Sequence, residues 1–170
     1  MTIEQYNKGV DEWADGAYSF AIHCGGSSED SRDAVQEAFA VLWEKREKVD
    51  FEKGRSFVLT VVHRQIVNHF RRRGRIELKP EINDEDNPST TSETAHTLFD
   101  SKSILAECMQ KMNEQQRALL RLRDIEGYSY REIAQILELS EQQVMVYLYR
   151  ARIALKKALL AYGVSSLADI

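Results

Sequence analysis

Residues 128–157, YSYREIAQILELSEQQVMVYLYRARIALKK, constrain the fold more than any other stretch of this chain. Their pattern predicts two amphipathic helices with a sharp break between them. Ile133, Ala134 and Leu137 make a short apolar face on the first helix. Leu139 and Ser140 form the break, with Ser140 placed to cap the second helix and Glu141 suited to its first turn. On that second helix Val144, Leu148, Ala151 and Leu155 recur at steps of four, three and four, a core-facing stripe. Small Ala134 lets the two helices approach closely. The layout is that of a helix-turn-helix, whose second helix enters the major groove of DNA. Helical bundles show the same spacing, so the exposed face decides between the two. It carries Glu141, Gln142, Met145, Tyr149 and Arg150, with Arg152, Lys156 and Lys157 following where phosphates would lie.

The chain has 170 residues, enough for one medium domain or two small ones. Strand signals are scarce and there are only two prolines, which predicts an all-α fold. No apolar run approaches the roughly 20 residues of a membrane span, and the N-terminus lacks a signal-peptide pattern. A cytoplasmic protein without membrane insertion is expected. Cys24 and Cys108 lie far apart with no CxxC partner, which argues for buried thiols rather than a disulfide or zinc site. The net charge of −4 argues against nucleic acid until it is resolved along the chain. Residues 1–53 hold 6 basic and 12 acidic side chains, residues 54–79 hold 7 and 1, residues 80–101 none and 6, and residues 102–170 hold 10 and 8. A basic band therefore lies between two acidic stretches, and such a band can still grip phosphate.

Upstream, residues 1–24 predict an amphipathic helix with Trp13, Ala17 and Ala21 on its buried side, ended by Gly25-Gly26. A second helix is expected from about Glu29 to Arg46, capped by Ser28. Asp33 and Glu37, one turn apart with Gln36 beside them, share its exposed face. A solvated face is the simplest account of that pair, and a protein-docking face the sharper one. No His or third carboxylate is placed to complete a metal or acid–base site there. Residues 49–56, VDFEKGRS, read as a loop centred on Gly54. A third helix follows from Phe57 to about Arg73, with Val58, Val62, Ile66 and Phe70 on one face and Thr60, Arg64, Asn68 and Arg71 on another. It ends in the cluster Arg71-Arg72-Arg73-Gly74-Arg75, more cation than a helix C-terminus needs to complement its dipole, which favours backbone binding. His63 and His69 have no ligand partner at useful spacing.

Residues 79–101 are polar and acidic, hold both prolines and show no apolar period, the composition of a flexible linker. The expected organisation is a helical domain at 1–78, the linker at 79–101, and a second helical domain at 102–170 that ends in the helix-turn-helix.

That order of parts resembles the bacterial RNA polymerase sigma-70 family, in the two-domain form of its extracytoplasmic-function (ECF) group. DAVQEAFAVLW, residues 33–43, is similar to region 2.2 of the family. The resemblance implies that Asp33, Gln36 and Glu37 dock on the β′ coiled coil of core RNA polymerase. FVLTVVHRQIVNHFRRR, residues 57–73, is similar to regions 2.3–2.4, which melt the −10 element of promoter DNA and hold the non-template strand. Carried over by position, Arg64, Asn68, Arg71, Arg72 and Arg73 face DNA, and the loop at Phe51, Lys53 and Arg55 forms the pocket for a flipped base. Melting needs such a surface, with platforms for unstacked bases beside cations for the backbone. GYSYREIAQIL and RARIALKK resemble region 4, which reads the −35 element and touches the β flap. The −35 positions are then Ser140, Gln142, Gln143, Met145, Val146, Tyr149 and Arg150.

The sequence also departs from the family's pattern. Arg64 stands where Asn is usual, Phe57 where Trp is frequent, and Glu138 where the turn usually has Gly. Gln142, Gln143, Met145 and Val146 replace a small pair followed by a basic residue and Ser. Each lost basic contact costs about 1 kcal/mol or more of DNA affinity. These departures leave room for a separate DNA-targeting partner, protein or RNA-guided, and the resemblance leaves room for an anti-sigma factor. The implied function is transcription initiation without catalysis, metal or cofactor. Two rival classes stand beside it. One is a stand-alone helix-turn-helix regulator that binds duplex DNA as a homodimer. The other is a recombinase-like enzyme using Tyr149 beside Arg150 and Arg152, poorly served by a tyrosine on a recognition helix.

Overall fold

The computed structural model describes residues 1–72 and 101–163. Among these residues seven α-helices follow in order: α1 Ile3–His23, α2 Ser28–Glu44, α3 Phe51–Arg72, α4 Ser101–Gln110, α5 Glu114–Leu120, α6 Tyr130–Leu137 and α7 Glu141–Ala161. A π-helical turn, Arg121–Ile125, joins α5 to the loop before α6. Among the described residues there is no strand, and no helix is long and apolar enough to cross a membrane. Arg73 and all but the last residue of the expected linker at 79–101 lie outside the described residues.

Local chemistry explains most of the boundaries. Thr2 starts α1 with a reciprocal capping box to Gln5, and Ser140 does the same for α7 with Gln143. Ser129 and Glu132 form a third such box at the start of α6. On α2 the cap is Ser27, whose hydroxyl accepts from the Asp30 amide, one residue earlier than the cap expected at Ser28.

Helix α3 departs further from expectation. It begins at Phe51, so residues 51–56 are its first turns and not a loop. Gly54 suggested a loop because glycine costs about 1 kcal/mol in a helix interior. Packing overrides that preference here. A Cβ on Gly54 would lie 2.6 Å from the buried ring of Trp13, so only glycine lets α3 cross α1 this closely. Phe51 also leans on Trp13, with ring centroids 5.0 Å apart.

Helices α1, α2 and α3 pack into one bundle around Phe20, Leu42, Val58, Val62 and Ile66. Helices α4 to α7 form the other around Leu119, Leu122, Ile133, Ile136 and Leu148. The two bundles pack on each other, α3 against α6 and α1 against α5, and their buried residues make one continuous apolar cluster. Gly25, at φ 89° after α1, sits so close to the second bundle that a Cβ there would meet Glu114 at 2.6 Å.

Candidate nucleic-acid and protein interface

Asp33, Gln36 and Glu37 are all exposed on α2, while Ala34, Ala38 and Phe39 turn inward. One turn earlier, Asp30 pairs with His69 of α3 at 2.8 Å, which gives that histidine a partner the sequence did not suggest. Between α2 and α3 runs a groove of about 290 Å³, lined by Asp33, Glu37, Gln65, Asn68 and His69 among others. It brings two of the docking candidates together with Asn68, one of the −10 candidates.

The remaining −10 candidates spread along α3. Lys53 and Arg64 are exposed and Arg55 is half-buried. Arg71 and Arg72 close the helix. Phe51 is committed to Trp13 and the core, so it does not form the open base pocket expected of a loop. Phe57, likewise half-buried against the core, has the Lys45 ammonium 5.8 Å from its ring centroid. His63 faces inward. Burial holds its imidazole down, to about 4, although Glu138 pulls the other way.

Two of these cations are already engaged. Arg64 donates to the Glu138 carboxylate through Nε at 3.2 Å and Nη2 at 2.6 Å. Arg55 donates to Glu126, which is also held by Arg121 at 3.1 Å, and the Arg55 guanidinium lies 5.9 Å from the Tyr128 ring centroid. Both acceptors belong to the second bundle. Sequence reasoning missed them because the partners are 74 and 71 residues apart, and no local pattern reports such a pairing. A partial signal existed at Glu138. The break before α7 needs a left-handed residue, and Glu138 supplies it at φ 57°, the one non-glycine residue with positive φ among those described.

Helix α7 has the buried and exposed faces that the sequence pattern predicts. Val144, Leu148 and Ala151 are buried, whereas Gln142, Gln143, Met145, Val146, Tyr149 and Arg150 are exposed. Ser140 and Gln143 are tied to the capping box, which leaves Gln142, Met145, Val146, Tyr149 and Arg150 as the outward face. Arg152, expected near phosphate, instead donates to Asp124 at 2.5 Å. The face is a mixture of amide, apolar and aromatic groups with one guanidinium. It can contact base edges and thymine methyl groups with little charge of its own, and the exposed Lys156 and Lys157 lie further along α7.

A capped helix-turn-helix packed beside a bundle with a cation-bearing helix is the layout of a DNA-binding protein. Residues 10–76 match the model of sigma-70 region 2, and residues 102–155 match that of sigma-70 region 4. The chain belongs to the sigma-70 family, with the two-region make-up of the ECF group. Among curated proteins it is similar to RNA polymerase sigma factor YlaC of Bacillus subtilis (strain 168), with 30% identity over 107 residues. That match spans 61% of this chain and 61% of the relative. Among solved structures it is similar to the sigma factor RpoE in complex with the anti-sigma factor NepR, from Bartonella quintana. The TM-score is 0.67 at 19% identity, covering 92% of this chain and 98% of that one, a likeness of fold.

Proposed function

We propose that this protein is an ECF-type sigma factor, which directs core RNA polymerase to promoters and opens the −10 region. The observation that carries the reading is the presence of regions 2 and 4 on one chain, with the α2 face at Asp33, Gln36 and Glu37 left exposed. In this reading residues 1–78 bind the β′ coiled coil and melt the −10 element, residues 79–101 link, and residues 102–170 read the −35 element and touch the β flap. Strand opening draws on binding energy alone: Arg64, Asn68, Arg71, Arg72 and Arg73 hold the backbone while Lys53 and Arg55 support the unstacked strand. No catalytic step, metal or cofactor is involved, and the protein works in the cytoplasm beside the polymerase. An anti-sigma factor, the partner named for the structural neighbour, belongs to the same reading. The weakly charged outer face of α7 leaves part of promoter selection to a further DNA-targeting factor.

The test is co-purification with core RNA polymerase. Wild type is expected to bind, and Asp33→Ala/Gln36→Ala/Glu37→Ala to lose at least tenfold in affinity, about 1.4 kcal/mol. A folded wild-type protein that ignores core polymerase overturns the reading.

A further inference from the structure

We propose that the outer face of α7 is a docking seam for a second protein, which lays an acidic amphipathic helix along it. The seam is a property of the helix itself and stands apart from the sigma reading. It runs past the turns that read base edges, and the cations beside it select the charge of the partner.

Helix α7 is apolar on two sides. Val144, Leu148, Ala151 and Leu159 are buried. On the other side Val146, Tyr149, Ile153 and Leu160 are 47%, 68%, 50% and 51% exposed. Together with Gln142 and Lys156 they recur at steps of four, three, four, three and four. That is the 3.5-residue period of a coiled-coil seam, kept over almost the whole helix. Val146, Ile153 and Leu160 fill one set of alternate positions, and two of the three are β-branched, which suits the pairing of two helices. A helix with apolar residues on opposite sides is suited to being covered on both.

DNA accounts for the start of this seam and not for its length. Base edges are read by residues near the N-terminus of a recognition helix. At 1.5 Å per residue, Ile153 and Leu160 lie about 18 and 28 Å beyond Glu141. Neither side chain has a donor to offer a phosphate. Charge then decides the partner. Arg150 and Lys157 flank the seam, Lys156 lies within it, and all three are exposed. Glu141 is the one acidic residue of α7. On the other edge Arg152 is already held by Asp124. A second copy laid parallel on the seam sets Lys156 against Lys156 and cation against cation along its edges. A helix with Glu or Asp beside its apolar stripe gains ion pairs there and is steered to the site. Once docked it covers Val146 and Tyr149, so the partner and a duplex exclude each other on the first turns of α7.

The test uses the full chain and a fluorescent four-heptad peptide with Ile and Leu at the apolar positions and Glu at the flanking ones. A counterpart peptide carries Lys in place of Glu. Anisotropy is expected to show the Glu peptide binding at least tenfold more tightly than the Lys peptide. Ile153→Ser/Leu160→Ser, at two exposed sites, should lose at least tenfold in Glu-peptide affinity while keeping its helicity and thermal midpoint. Lys156→Glu/Lys157→Glu should narrow or invert the preference between the peptides. Equal binding of the two peptides overturns the proposal, as does a serine variant that binds like wild type. So does a wild type that sediments as a dimer when the serine variant is a monomer, which gives the seam to a second copy. A serine variant that loses affinity for a mixed-sequence duplex as steeply as for the peptide gives the seam to DNA and has the same effect. Binding to core polymerase separates this proposal from the sigma reading. Core binding by a wild type without peptide preference removes the seam and keeps the sigma reading, and peptide preference without core binding does the reverse. A serine variant that loses both core and peptide assigns the seam to the polymerase and overturns the separate partner.

Discussion

At the scale of single residues, two positions show packing overruling a local preference. Gly54 lies inside a helix because the Trp13 ring occupies the space a side chain would need. Gly54→Ala gains helix propensity of about 1 kcal/mol but forces a buried indole to move, and overpacking of this kind costs about 1–3 kcal/mol. The expected outcome is a net loss of stability in thermal melts, largest if Trp13 cannot retreat. His63 is the second position. Its Nδ1 is buried with no hydrogen-bond partner among the described residues, and burial lowers its pKa to about 4 from an ordinary 6.5. Because the folded value lies below the unfolded one, the unfolded chain takes up this proton first as pH falls. The contribution is whole above about pH 6.5 and is lost progressively toward pH 4, on the order of 3 kcal/mol at most. Urea titrations across that window should show a shallower decline for His63→Gln than for wild type. Equal slopes would mean that the imidazole is not held neutral.

At the scale of elements, helix starts follow from short-range hydrogen bonding and so are readable in sequence. The Ser140 cap, the buried stripe at Val144, Leu148 and Ala151, and the outward set at Met145, Tyr149 and Arg150 all stand where periodicity places them. Ser140→Ala removes one half of the capping box that starts α7 and should cost about 1 kcal/mol, read as a lower thermal midpoint. Two features of the elements escape local pattern. Residues 51–56 are helical, since the Trp13 contact that forces Gly54 into α3 comes from a helix some 40 residues earlier in the chain. Arg152 pairs with Asp124 at the surface, because the π-helical turn places that carboxylate beside α7.

At the scale of the whole molecule, the two bundles share one buried cluster. A shared core couples their unfolding, so calorimetry on the full chain should show a single cooperative transition. In the Glu126→Gln/Glu138→Gly variant the coupling is weakened, and the transition is expected to broaden or split in two. A wild type that already melts in two steps would contradict the coupling. The amino-acid sequence by itself determined the all-helical class, the helix-turn-helix, the exposed Asp33, Gln36 and Glu37 face and the family, because periods, caps and motifs act within a few turns of chain. Only the tertiary structure decided which cations are free. Arg64 and Arg55 meet Glu138 and Glu126 through the packing of α3 on α6, a long-range contact set by the complementarity of two apolar faces and written in no local pattern.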